Sequence, residues 1–138
     1  MKRLKDILEK GVDDSYDLNP VLLEGAVIND ESYPEYGMIE ILGYVKNKQN
    51  QSRRIISPEG ISPCLGAFTH GYAHGYIKDD DRIRRLTPRE FFRLMGLKEE
   101  EINIIQGTRI SETQQYKLAG NSIVVNVLED VFKRLLVH

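Results

Sequence analysis

The chain has 138 residues, 41% of them apolar, with a formal net charge of −2 and a single cysteine. That is length enough for one ordinary domain with a buried core. One cysteine rules out a disulfide framework, which makes a reducing cytoplasm the expected compartment. No apolar run is long enough to span a bilayer, and Met1-Lys2-Arg3-Leu4-Lys5-Asp6 does not lead into a signal-peptide apolar core, so no membrane partner is expected.

The charge is unevenly spread. Residues 1–45 carry four basic and ten acidic side chains, residues 46–93 ten basic and five acidic, and residues 94–138 five and six. The middle is a basic island in an acidic chain. Such an island can meet phosphates although the whole protein is acidic, or it can be a solvated surface.

In chain order, Lys2 to Lys10 predicts a short amphipathic helix, with Leu4, Ile7 and Leu8 inward and Gly11 as its stop. Residues 12–20 are acidic and turn-like. Val21 to Ile28 suits a strand or a short helix, and irregular structure is the preferred expectation. Asn29 to Gly37 is a loop punctuated by Ser32, Pro34 and Gly37. Met38 to Val45 reads as a strand, Lys46 to Ser52 as a polar loop, and Arg53 to Ser57 as a second strand. Pro58-Glu59-Gly60 is a turn, and Ile61 to Thr69 a third strand or extended segment. A glycine-spaced loop follows from His70 to Gly75, then a short strand at Tyr76-Ile77 and a turn at Asp79-Asp80-Asp81.

The last third is helical, with marked ends. Thr87-Pro88-Arg89-Glu90 and Ser111-Glu112-Thr113-Gln114 are capping boxes, and Gly96 stops the first of these helices. Lys98 to Ile110 is a short, polar spacer of helical character. Gly120-Asn121-Ser122 ends one helix and starts the last. That last helix is apolar at Ile123, Val124, Val127, Leu128, Val131, Phe132, Leu135 and Leu136. The stripe is closer to two faces than one, which suits burial between domains; alone, one side would be exposed. The expected fold class is α+β: a small, curved antiparallel sheet from residues 38–77 flanked by C-terminal helices. The expected division is a region 1–83 and a helical region 84–138 within one compact unit.

Two stretches carry a family resemblance. Residues 84–96, RRLTPREFFRLMG, resemble motif IX of the DNA (cytosine-5) methyltransferases, R-x-L-T-x-R-E. Residues 114–136, QQYKLAGNSIVVNVLEDVFKRLL, resemble motif X, whose core is G-N-S-V-V-x-x-V-L. The two stand in the family's order and at about its spacing. The middle is similar to the target-recognition region of the smaller bacterial and phage enzymes. Leu42-Gly43-Tyr44-Val45 is followed by a polar loop, then by Arg54-Ile55-Ile56-Ser57, Gly60-Ile61 and Leu65-Gly66-Ala67. The segment Leu4 to Leu8 resembles one that follows the family's catalytic core.

The resemblance implies double-stranded DNA as partner and a target cytosine flipped out of the helix. It places Gln51 where a side chain enters the vacated stack, and Arg54, with Arg53 beside it, where a guanidinium reads a base edge; Arg can pair bidentately with guanine. A basic hairpin touching only phosphates is the equal alternative. The loop from Thr69 through Gly71 to Gly75 is expected to face DNA too, its glycines permitting close approach. His70 and His74 near Cys64 invite a metal reading, but the glycines oppose a helix there and a fourth ligand is missing. Cys64-Leu65 stands where the family usually has Thr-Leu, and a thiol is the weaker hydrogen-bond partner. The Pro63-Cys64 dipeptide is not the family's nucleophile, since no Gln follows and it lies inside the recognition frame.

By the same resemblance, Asn121 and Ser122 would help close an S-adenosylmethionine site, whereas Arg85 and Glu90 are expected to be structural. The family's glycine-rich cofactor loop, Pro-Cys nucleophile, base-contacting Glu and Q-x-R-x-R strand are not found in these residues, so no methyl transfer and no cofactor binding are expected of the chain alone. The leading expectation is the recognition and motif IX/X part of a split enzyme. Its partner would be a catalytic-half polypeptide, with self-association through the last helix as the other use of that surface. The alternative is a stand-alone DNA- or protein-binding regulator derived from such an enzyme, a phage or mobile-element factor. A truncated remnant is the third reading.

Overall fold

The computed structural model describes residues 3–28, 38–45, 53–65 and 75–137. After two single-turn 3-10 elements, Leu4–Asp6 and Asp14–Tyr16, come α1 (Pro20–Leu23), β1 (Val27–Ile28), β2 (Ile41–Tyr44), β3 (Arg54–Ile56), β4 (Tyr76–Asp79) and β5 (Arg82–Arg84). Four helices finish the chain: α2 (Pro88–Leu94), α3 (Glu99–Gly107), α4 (Glu112–Asn121) and α5 (Val125–Leu136). The expected class, α+β with a curved sheet and C-terminal helices, is the class observed.

The five strands lie in the order β1-β2-β3-β4-β5. The β1–β2, β2–β3 and β4–β5 pairs are antiparallel, but β3 and β4 run parallel, with Ile55 opposite Tyr76 and Ile56 opposite Ile77. The expected all-antiparallel sheet is therefore mixed. The reason lies in the turn after β3: the chain turns back at Pro58-Glu59-Gly60, and Ile61 donates to the Met38 carbonyl at 3.1 Å. Residues 57–61 thus run beside the start of β2, and residues 62–65 form no strand. The expected third strand, as far as it is described, is irregular. A register shift between Ile41 and Gly43 bends the β2–β3 pair.

Successive strand residues point to opposite faces. Ile56 and Ile77 join one apolar cluster, with Leu4, Ile7, Leu86, Phe91, Phe92, Met95, Ile102 and Tyr116. Ile55 and Tyr76 join the other, with Leu18, Leu42, Val45 and Ile83. The helices cover one face of the sheet and residues 18–28 help cover the other. The first segment is a single 3-10 turn, not the expected helix through Lys10, yet it buries Leu4 and Ile7 as its pattern required. The 21–28 stretch, expected to be irregular, holds a four-residue helix capped by Asn19 and the edge strand β1.

The local signals in the last third form as written. The Thr87 hydroxyl accepts from the Glu90 amide at 3.2 Å, and the Glu90 carboxylate accepts from the Thr87 amide at 3.3 Å. Ser111 and Gln114 make the same reciprocal pair at 3.2 and 3.4 Å. Gly96 has φ +83°, the left-handed conformation that ends α2. Among the described residues, α5 buries no side chain at all.

Candidate nucleic-acid interface

The motif IX-like stretch forms the frame of the sheet. Arg84 at the end of β5 and Glu90 in α2 are both fully buried. Their side chains meet in a two-pronged pair at 2.9 and 3.0 Å, and Arg84 Nε donates to Asp79 at 2.9 Å. Burial opposes charge on Arg84, yet Glu90 and Asp79 together hold its pKa above the ordinary value. Burial pushes the Glu90 carboxyl up, against the pull of Arg84. The partner of Glu90 is thus Arg84. Arg85 reaches Glu112 at 3.3 Å and lies over the Tyr16 ring, 4.8 Å from its centroid. Burial, then Glu112, pushes the Tyr16 hydroxyl up to about 12. Arg89 ties α2 to α3 through Glu99 and Asn103, both at 2.7 Å, and through Gln106 at 2.9 Å. These groups are saturated by the protein itself, which marks the motif as scaffold.

Arg53 and Arg54 stand apart from that pattern. Arg3, Arg82, Arg84, Arg85, Arg89, Arg93 and Arg134 each have a carboxylate partner. Among the described residues Arg53 and Arg54 have none, nor has Arg109 on the α3–α4 loop. Arg54 opens β3, opposite Tyr44 of β2. It is half-buried, and its Nε is enclosed without a hydrogen-bond partner. Burial pushes its guanidinium below the ordinary pKa, only partly offset by Tyr44. A guanidinium carries five donors and cannot shed its charge in a protein. Two adjacent guanidiniums at one end of a sheet, uncompensated among the described residues, therefore suit an anionic, acceptor-rich ligand. The family resemblance singled out Arg53 and Arg54 in the sequence; that they lack a carboxylate partner among the described residues is visible only in the fold.

Gln51, Thr69 and Gly71 lie outside the described residues, as do His70 and His74. Cys64 is exposed, its thiol 3.8 Å from the Leu65 carbonyl. No group of three or more metal-ligating side chains occurs among the described residues.

Asn121 and Ser122 finish α4. The Ser122 hydroxyl donates to the Ala119 carbonyl at 2.8 Å, and both residues are exposed. A mostly apolar cleft of about 400 Å³ lies beside them, lined by Leu65, Leu94, Met95, Gly120, Ser122 and Val124. Two polar groups on an open surface can serve as one edge of a cofactor site. They do not enclose a ligand, so the remaining walls have to come from other residues. The Val125 amide donates to the Met95 carbonyl at 3.0 Å, and Asn126 packs against Gly96, which fixes where α5 leaves the body.

Comparison with known proteins agrees with this layout. The profile of the C-5 cytosine-specific DNA methylases matches residues 2–137. The orphan methyltransferase M.SPBetaI of Bacillus phage SPbeta is 31% identical over 189 residues, covering 98% of this chain and 42% of that protein. M.SPRI of Bacillus phage SPR is 50% identical over 95 residues, covering 66% of this chain and 21% of that protein. The structure of the S. pombe Dnmt2 methyltransferase superposes with a TM-score of 0.66 at 24% identity, over 98% of this chain and 40% of that one. The chain thus spans about two fifths of the first of these relatives. On the near-complete match to its profile, the chain belongs to the C-5 cytosine-specific DNA methylase family.

Proposed function

We propose that these residues form the target-recognition and motif IX/X module of a cytosine-5 DNA methyltransferase. The module binds double-stranded DNA through the end of the sheet where β3 begins, and it completes a catalytic core built by other residues. The observation that carries this reading is the pair Arg53 and Arg54, without a carboxylate partner among the described residues, set on a frame whose other described sheet and α2 arginines are paired. Arg54 reads a base edge, Arg53 holds the backbone or a neighbouring base, and Gln51, Thr69 and Gly71 contact DNA as the resemblance implies. Asn121 and Ser122 contribute an edge of the S-adenosylmethionine site when the catalytic part is in place. S-adenosylmethionine then supplies the methyl group, while the nucleophile comes from that part. The chain alone is inactive. Family membership and the share of its relatives that it spans support this reading.

The test has two readouts. Duplex binding is measured by fluorescence anisotropy for the chain and for Arg53→Ala with Arg54→Ala. At least a tenfold loss with loss of sequence preference is expected; unchanged binding removes these arginines from the interface. Methyl incorporation is then measured with and without a catalytic-half methyltransferase polypeptide. Activity is expected only in the mixture. A folded chain that ignores the catalytic half is the outcome the regulator reading predicts, with DNA or a protein as its ligand.

A further inference from the structure

The neighbours of Arg54 restrict what its guanidinium can reach. Three strands put one residue each into a row: Val27 of β1 stands opposite Tyr44 of β2, and Tyr44 opposite Arg54 of β3. Opposed residues of a ladder project to the same face, with their Cβ atoms about 5 Å apart. That face is the one on which Ile56, two residues on, lies under the helices. The row itself lies beyond their cover: Val27 is 52% exposed, and Tyr44 and Arg54 are half-buried. On the other side of Arg54, one residue before the Ile55–Tyr76 pair, stands Gly75, which has no side chain. Across the ladder, then, the side chain beside Arg54 is that of Tyr44. Tyr44 is also the group that partly offsets the effect of burial on this guanidinium.

Arg54 is enclosed unevenly. Its Nε is shut off from solvent without a hydrogen-bond partner, and its two terminal nitrogens are not. An enclosed donor without a partner is a cost that the fold alone does not explain. A guanidinium can meet the O6 and N7 of guanine through Nε and one terminal nitrogen, or through both terminal nitrogens. With Nε shut off, only the second way is open. We propose that Tyr44 is a specificity-determining residue that holds Arg54 for end-on, bidentate reading of a guanine by Nη1 and Nη2. The ring walls the Nε side, so the stem of Arg54 has fewer rotamers to lose when DNA arrives. The hydroxyl has no part in this. Tyr44 acts through Arg54 and is a positioning residue. The assignment rests on Arg54 facing DNA, as proposed above.

The test uses the whole chain and a pool of DNA duplexes randomised over a central stretch. Bound duplexes are sequenced, and binding to the unselected pool is measured by anisotropy. The parent chain should enrich a guanine at one position, and Arg54→Ala should lose that enrichment. Tyr44→Val keeps a strand-forming residue but removes the ring. It should lower the same guanine enrichment about tenfold and leave binding to the unselected pool within about twofold. Tyr44→Phe should behave as the parent does, and adding Tyr44→Val to Arg54→Ala should cost nothing more. In the chain without DNA, exchange of the Arg54 Nε proton with water, followed by NMR, should quicken in Tyr44→Val and not in Tyr44→Phe. A guanine preference that needs Arg54 but survives Tyr44→Val overturns the proposal and leaves the DNA-binding reading standing. A preference unmoved by Arg54→Ala overturns both. An Nε proton that exchanges as fast in the parent as in Tyr44→Val also overturns the positioning role, whatever the variant does to DNA binding.

Discussion

Arg84 and Glu90 are joined by two hydrogen bonds between β5 and α2. Both charges are out of water, so each depends on the other. Replacing Glu90 with Gln leaves a buried guanidinium short of its carboxylate and also weakens the α2 cap. Urea unfolding should show a loss of about 3–5 kcal/mol, the range for breaking a buried pair. The sequence resemblance gave Arg85 and Glu90 structural roles without pairing them; that Arg84 is the buried partner of Glu90 is decided by strand alternation, which points it inward. Glu99 gives a pH-dependent case. Its hydrogen bond from Arg93, helped by Arg89, holds its carboxyl below the ordinary value. A depressed carboxyl stabilises the fold above its unfolded pKa, and that contribution is lost as pH falls through the folded one. Arg93→Gln should raise the Glu99 midpoint in a carboxyl-carbon NMR titration and flatten the acid limb of the stability curve. An unmoved midpoint would assign the shift to something other than Arg93.

At the level of elements, the edge strand β1 hangs on one glycine. A Cβ on Gly43 would lie 2.8 Å from the Val27 carbonyl carbon and 3.0 Å from the Ile28 Cα. Gly43→Ala should therefore peel β1 from β2. Amide exchange at Val27 and Ile28 should quicken while the Ile55 and Ile77 amides keep their protection; equal loss everywhere would mean the strand is not separable. The helices were legible because their signals are local: Thr87, Gly96 and Ser111 act within one turn of themselves. The parallel β3–β4 pair was not. Strand order depends on the path from residue 57 to 75, and no neighbouring residue encodes a crossover. Likewise the hydrophobic spacing of residues 2–10 was read correctly as one inward face, but its two anchors, Leu4 and Ile7, are served by a single turn as well as by a helix.

For the whole molecule, α5 is the outlier. The width of its stripe was visible in the sequence, but not that the body would leave every residue of it in water or half-buried. Val127→Asp with Val131→Asp should leave the circular dichroism and the unfolding midpoint of the chain unchanged and abolish association with a catalytic-half polypeptide in light scattering. A collapse of the fold would show that α5 belongs to the body after all. The other end of the chain behaves in the opposite way. The Ile7 carbonyl accepts from Arg93 at 3.0 Å, 86 positions on, and the Glu9 amide donates to Glu90, 81 positions on. Leu4 and Ile7 share their cluster with Ile102, Tyr116 and Ala119. On a ribosome, then, the cluster that Leu4 and Ile7 join stays incomplete until α4 has emerged. The nascent chain must carry two partly unburied aliphatic anchors across more than a hundred residues of synthesis, and this core closes in one late step.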